Sequence, residues 1–531
     1  MPILISGTKC LAKETTTKPL SFYPHLTQRP WATARALLPA VRRLPRGGGG
    51  PAMAFPGRLR HKMSELWSID TRSLALFRMA LGILLLGDLT GRLIDLDGLY
   101  GAGGVQPVQV VREFLQEQYP GAWSFHLLSE ATAFQACLLL MAAGLAVALI
   151  LGWRTRLVAV GCWLLLASLH ARSPLVTNGG DVLLRMMLLW GLFLPLGERW
   201  SLDARNSRKA PRPGICSVAS VAALLQLCLM YQWTGLLKWN PHWLQGEALA
   251  DVLSLRLYAT TWGQWLLDYP LVLRWGTWLT LALELLGPWL LFCPWKRPWV
   301  RGFTVAALAG MHLGIEWTMH VDLFSYSCWV ALTLFVPTEC WQALGDWAAH
   351  SRRDAQTKPT VPSYGQRVAT LLCGLLLAIV VLFNVGDLAA RWELAHEPIP
   401  APMHRLVQLA ALDQRWDMFR RAGGPDCRLL AFAELEDGRE LDLLRNSPPS
   451  EDLRELQPAF PPRRWALFVT ELRRPGKAAF RLPTAEFLAA RWDRQHPPGQ
   501  RVRHVVLLLL REPIGNERVD KAVIYAELER P

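Results

Sequence analysis

Residues 131–152 read ATAFQACLLLMAAGLAVALILG, twenty-two positions without a charge. An α-helix needs about 20 such residues to cross roughly 30 Å of hydrocarbon. In that solvent each backbone N–H and C=O must be satisfied within the segment, which a single stretch achieves only as a helix. Working outward, similar apolar segments occur at 74–94, 155–172, 181–197, 215–237, 273–293, 301–319, 321–338 and 366–385. The expected fold is therefore an all-α polytopic membrane bundle of about nine transmembrane helices over residues 64–385, with the lipid bilayer as its first partner.

Nine crossings put the two ends on opposite sides, and Lys and Arg in short loops decide which side is cytoplasmic. Arg154 and Arg156 follow the second segment, Arg199, Arg205 and Arg208 the fourth, Lys296 and Arg297 the sixth, and Arg352, Arg353 and Lys358 the eighth. This alternation predicts a multi-pass protein with a cytoplasmic N-terminus and an exoplasmic C-terminal region. The net charge of +14 invites a nucleic-acid reading. However, residues 1–63 carry eleven Lys and Arg against the single acid Glu14, which is ten of the fourteen charges. The remainder is dispersed, and nucleic acid is excluded as a partner. That basic arm reads as disordered or as an over-extended start with Met53 or Met63 the first residue; a transit peptide is the alternative.

Beyond the bundle, residues 386–531 have balanced charge, alternating stretches at 428–435 (RLLAFAEL) and 502–511 (VRHVVLLLLR), and an Asp437-Gly438 turn. They predict a mainly β or α+β exoplasmic domain. One amphipathic helix is expected at 108–118. Many of the 25 tryptophans, among them Trp239, Trp262, Trp265, Trp275, Trp295 and Trp299, fall in loops and helix ends, as interfacial belts do. Most of the ten cysteines lie inside apolar segments as small buried hydrophobes, without a disulfide framework or metal-ligand spacing.

Ionisable residues within spanning segments are costly and mark candidate sites. They are Arg78, Asp88, Arg92, Arg185, Lys238, Glu284, His312, Glu316 and His320, with Asn178 and Asp181 at the outer end of the fourth segment. His312, Glu316 and His320 at i, i+4 and i+8 share one helix face; the histidines serve packing, a site, or, less simply, a metal. Arg78 and Arg185 are candidate structural partners of Asp88 or Asp181. Lys238 either snorkels from its helix end or is a buried neutral amine able to act as a base.

Residues 72–82 (RSLALFRMALG), 173–181 (SPLVTNGGD), 194–203 (LPLGERWSLD), 231–246 (YQWTGLLKWNPHWLQG), 312–326 (HLGIEWTMHVDLFSY) and 414–419 (QRWDMF) resemble the HTTM (horizontally transferred transmembrane) domain of bacterial proteins. That domain is similar in turn to the vitamin K-dependent gamma-carboxylase family. The resemblance implies an enzyme, a bacterial inner-membrane location, reduced vitamin K or menaquinol as cofactor, oxygen and carbon dioxide as co-substrates, and a secreted or membrane peptide bearing glutamates as partner. The pattern YxxxGxxK…W…G then implies Lys238 as catalytic base, with Trp243 and Gly246 on the same pattern, and His312 as a second catalytic residue. Glu284, Asn178, Asp181, Trp243 and His320 become cofactor-binding candidates, and no metal is implied. Gly180 stands where the carboxylase has a functional histidine, a departure that weakens the case for glutamate carboxylation relative to quinol oxygenation. Two other classes fit the same residues: a non-enzymatic membrane protein binding quinone or lipid, and a transporter, which the lack of inverted repeats opposes.

Overall fold

The computed structural model describes residues 64–345, 363–393, 399–420, 426–449, 464–512 and 521–530. The expectations for residues 1–63 and for Arg352, Arg353 and Lys358 lie outside these. From Arg58 onward the chain forms one compact unit, so the C-terminal region packs with the helical part.

All nine apolar segments are helical: α1 (Thr71–Ile94), α2 (Thr132–Leu151), α3 (Thr155–Arg172), α4 (Gly179–Gly191), α5 (Val218–Leu237), α6 (Pro270–Leu291), α7 (Arg297–Thr318), α8 (Phe324–Leu332) and α9 (Tyr364–Arg391). Four, α1, α2, α5 and α9, are long and apolar enough to cross a membrane. At 1.5 Å per residue the 13 residues of α4 reach only about 20 Å, short of the hydrocarbon thickness. Apolar character alone could not show this, because α4 continues into an apolar turn before Pro195. The amphipathic helix forms at Val108–Gln118 as expected. Of the seven tryptophans 239, 243, 262, 265, 275, 295 and 299, only Trp243 is buried, at 3 % exposure.

The C-terminal region is α+β. Strands β1 (Asp426–Leu435), β2 (Glu440–Asp442), β3 (Val502–Glu512) and β4 (Lys521–Glu529) form one antiparallel sheet in the order β2-β1-β3-β4. Gly438 takes the left-handed conformation at the β1–β2 turn, with φ +80°. Helix α10 (Arg464–Leu472) precedes α11 (Arg481–Gln495), and Ala485, Ala489 and Trp492 of α11 bury against Ala433, Val502 and Val505 of the sheet. Alternation along β3 thus has its expected cause, one face against a helix. Helix α10 instead turns toward the bundle: the Trp465 indole N–H donates to Asp95 at 3.0 Å.

Candidate functional site

The structure sorts the predicted residues into two centres beside one cavity. The first centre is built on α5, α6 and α7. Lys238 caps the C-terminus of α5, where its charge complements the last carbonyls. It does not snorkel: the residue is 4 % exposed and its ammonium meets Glu284 Oε1 of α6 at 2.5 Å. Gly235 allows this approach, since a Cβ there would lie 2.9 Å from Leu285 and 3.2 Å from Glu284. Pro288, four residues after Glu284, lacks the N–H that would bond the Glu284 carbonyl and so loosens the helix at the site. The indole of Trp243 lies 4.6 Å from Lys238 Nζ in a cation–π contact and donates its N–H to the Phe419 carbonyl at 3.0 Å.

Lys238 is thus buried, as the second of its two expected readings has it, beside the aromatic Trp243 and paired with Glu284. The two side chains meet in a single short bond, Lys238 Nζ donating to Glu284 Oε1.

Tyr231, seven residues before Lys238 and hence on the same face of α5, hydrogen-bonds His312 Nε2 at 2.8 Å. Phe324 packs edge-on against the His312 ring at 5.5 Å. Two buried atoms here have no partner among the described residues, Glu284 Oε2 and His312 Nδ1.

His312, Glu316 and His320 do not share a helix face. Helix α7 ends at Thr318, Met319 turns extended to bridge Ala259, and the His320 N–H donates to the Tyr258 carbonyl at 2.7 Å. His320 is exposed, and Glu316 accepts from the Tyr326 hydroxyl at 2.9 Å.

The second centre is an ion network between bundle and C-terminal region. Asn178 caps α4 in a capping box with Asp181. Asp181 is fully buried and accepts from Arg92 at 2.8 Å and from Arg464 at 2.9 and 3.0 Å. Arg92 also donates to Asp88 at 2.9 Å and to the Tyr100 hydroxyl at 2.6 Å, while Arg464 donates to Asp88 and lies 3.6 Å from Asp322. Arg78 and Arg185 are not the partners of these carboxylates. Arg78 donates to the Trp200 carbonyl, and Arg185 to Asp413 through its carbonyl at 2.6 Å and its carboxylate at 3.1 Å. Asp181 is thus committed to structure, and of the predicted cofactor-binding set only Glu284 and Trp243 stand beside Lys238.

Gly180 is closed to any side chain. A Cβ would meet the Phe324 nitrogen at 2.6 Å and the Leu323 carbonyl carbon at 2.7 Å, both backbone atoms.

A cavity of about 1030 Å³ lies between the bundle and the C-terminal region, with Asn178, His320, Asp322, Phe324 and Phe419 in its wall. Neither Lys238 nor Glu284 nor His312 lines it. Phe324 packs on His312 and Phe419 holds Trp243, so these two aromatics are common to the first centre and the cavity. Among the described residues no group of three His, Cys, Asp or Glu could hold a metal ion.

Sequence reasoning missed Arg464 and Tyr231. The excess of acids near one end of these helices, Asp88, Asp181 and Asp322 against Arg92, called for a second cation from elsewhere in the chain. Tyr231 stood in the YxxxGxxK pattern with its hydroxyl unassigned.

No curated protein and no solved structure matches the chain. The family model for the HTTM domain matches residues 67–341, which contain α1 to α8, Lys238, Glu284 and His312. This protein, with its apolar helices and its small C-terminal sheet, belongs to the HTTM domain family.

Proposed function

We propose that this chain is a multi-pass membrane enzyme of the gamma-carboxylase-like kind, in which Lys238 and Glu284 form a proton-transfer couple acting on a reduced vitamin K or menaquinol. The observation that carries the reading is the 2.5 Å pair, with side chains 5 % and 7 % exposed, beneath Trp243. Moving the bonded proton from Lys238 Nζ to Glu284 Oε1 leaves a neutral amine without exporting charge, and that amine can take a hydroxyl proton in a dry pocket. Glu284 Oε2 and His312 Nδ1 suit a hydroxyl- or carbonyl-bearing ring, because each is a buried polar atom in want of a partner. When bound, the quinol supplies the reducing equivalents, with one oxygen atom of O₂ entering the epoxide and the other leaving as water.

In this reading the N-terminus is cytoplasmic, the C-terminal region exoplasmic, and the membrane the bacterial inner membrane. The peptide glutamate and carbon dioxide belong to the same proposal. The closed Gly180 position supports quinol oxygenation more directly than carboxylation, since no side chain from there can assist.

The test is epoxide formation by purified protein given chemically reduced menaquinone or phylloquinone and oxygen, wild type against Lys238→Ala. Epoxide in wild type and a loss of at least about 100-fold in the variant support the reading. Equal epoxide in both, or none in either, refutes it. The cavity favours one second reading, a binding protein without turnover, since it stands apart from Lys238; a bound quinone unchanged by oxygen would select it.

A further inference from the structure

The cavity between the bundle and the C-terminal region carries a surplus of positive charge that the first centre does not use. Its lining holds Arg185, Arg391, Arg415, Arg420, Arg474 and Lys477 against Asp322, Asp413, Asp417 and Glu471. Each of the four acids already has an arginine within 4 Å: Asp413 has Arg185, Asp417 has Arg391, Glu471 has Arg474, and Asp322 has Arg464 from outside the lining. The lining cations thus outnumber the acids, and every acid is already engaged.

Three buried side chains at the wall also hold nitrogens with no partner among the described residues, Arg185 Nε, Gln414 Nε2 and His170 Nδ1, while His170 Nε2 lies 3.5 Å from Asp181 Oδ1. They are 4 %, 2 % and 3 % exposed respectively. The orientation of the Gln414 amide is set by its own network. Its oxygen accepts from Gln226 at 2.8 Å and from the Trp416 indole at 3.1 Å, which leaves the NH₂ group as the free end. Unpaired buried donors are costly, and here they share one wall with the cationic groups. The rest of the wall mixes neutral polar residues such as Asn178 and Gln408 with apolar ones, among them Phe114, Tyr119, Val182 and Phe383, the last from α9, one of the four membrane-length helices.

We infer that the cavity is a binding site for an anionic phospholipid, with the phosphate taken by the donors of Arg185 and Gln414 and by the surplus cations, and the chains against the apolar side chains. Those apolar side chains distinguish this ligand from inorganic phosphate, and the charge balance distinguishes it from a zwitterionic lipid. Lys238, Glu284 and His312 do not line the site, and the inference stands whether or not the chain is an enzyme.

The test uses full-length, delipidated protein in detergent, with thermal unfolding followed by tryptophan fluorescence and affinity taken from titration. The probes are phosphatidylglycerol, phosphatidylcholine, inorganic phosphate and a glutamate-rich peptide. Phosphatidylglycerol is expected to raise the midpoint by a few degrees through preferential binding to the folded state, with the other three without effect. Gln414→Glu keeps the accepting oxygen and replaces the donor with an acceptor, so its affinity for phosphatidylglycerol falls about tenfold. If that variant fails to fold, Lys477→Met, which removes a half-buried charge and keeps packing on Phe114, is read the same way, with an expected loss of a few fold. No shift with phosphatidylglycerol, an equal shift with phosphatidylcholine, a shift with phosphate alone, a shift with the peptide alone, or unchanged affinity in the folded variants overturns the inference.

Discussion

Replacing Arg464 with methionine tests the contact that ties the C-terminal region to the bundle. The guanidinium is 4 % exposed and donates to Asp181 at 2.9 and 3.0 Å, to the Val176 carbonyl at 2.5 Å and to Asp88. Methionine fills much of the same volume but leaves Asp88 and Asp181, with Asp322 nearby, facing Arg92 as the remaining partner. Removing one member of a buried ionic cluster costs about 3–5 kcal/mol, because the charge left behind is neither solvated nor paired. Opening of α10 away from the bundle then becomes more frequent by about two to four powers of ten, at one power per 1.4 kcal/mol. Limited proteolysis of the C-terminal region in detergent reads this directly, and thermal unfolding gives the accompanying drop in midpoint. Arg474→Met is the control. Its pair with Glu471 has an arginine side chain 60 % exposed and is worth about 0–1 kcal/mol. Equal cleavage rates in the two variants would refute the claim that the network holds the C-terminal region in place.

Other expectations follow from single contacts. Glu284→Leu is expected to cost about 3–5 kcal/mol in thermal unfolding by stranding the Lys238 charge, and the double variant Lys238→Leu/Glu284→Leu to recover part of that loss; an additive double variant contradicts a direct pair. Gly180→Ala drives a methyl into the backbone of residues 323–324 and is expected to destabilise by about 1–3 kcal/mol or more, whereas Gly314→Ala, with open space around its Cβ, stays within about 1 kcal/mol of wild type. Lys477 is pushed down to about 8 by burial, with Glu471 opposing and Arg474 and Arg415 adding to the shift. The unfolded chain therefore holds that proton more tightly, and stability rises between about pH 8 and the ordinary lysine value near 10.5. A pH series of unfolding midpoints should show this rise in wild type and lack it in Lys477→Met, while affinity for an anionic lipid falls over the same interval.

Much of the local structure was legible in the chain. The helix at Val108–Gln118, the strands from Asp426 and Val502 and the turn at Gly438 follow from periods of 3.6 and 2 and from the need for φ > 0. The one failed face, that of His312, Glu316 and His320, came from extending a helix past its end. Met319 leaves α7 because the chain bridges Ala259, a contact sixty residues away that no period encodes. At the candidate site the residue types were foreseen and the partners were not: Lys238, Glu284, Trp243 and His312 were named from the chain, but the 2.5 Å pair and the Tyr231 hydrogen bond were not.

By itself the sequence determined that this is a membrane protein built of apolar helices, because transfer of uncharged stretches into lipid depends only on their own composition and length. Tertiary structure alone decided which buried charges neutralise one another. Arg464 reaches Asp181 across 283 positions and Lys238 reaches Glu284 across 46, and an ionic bond depends on distance in space, to which separation along the chain is no guide.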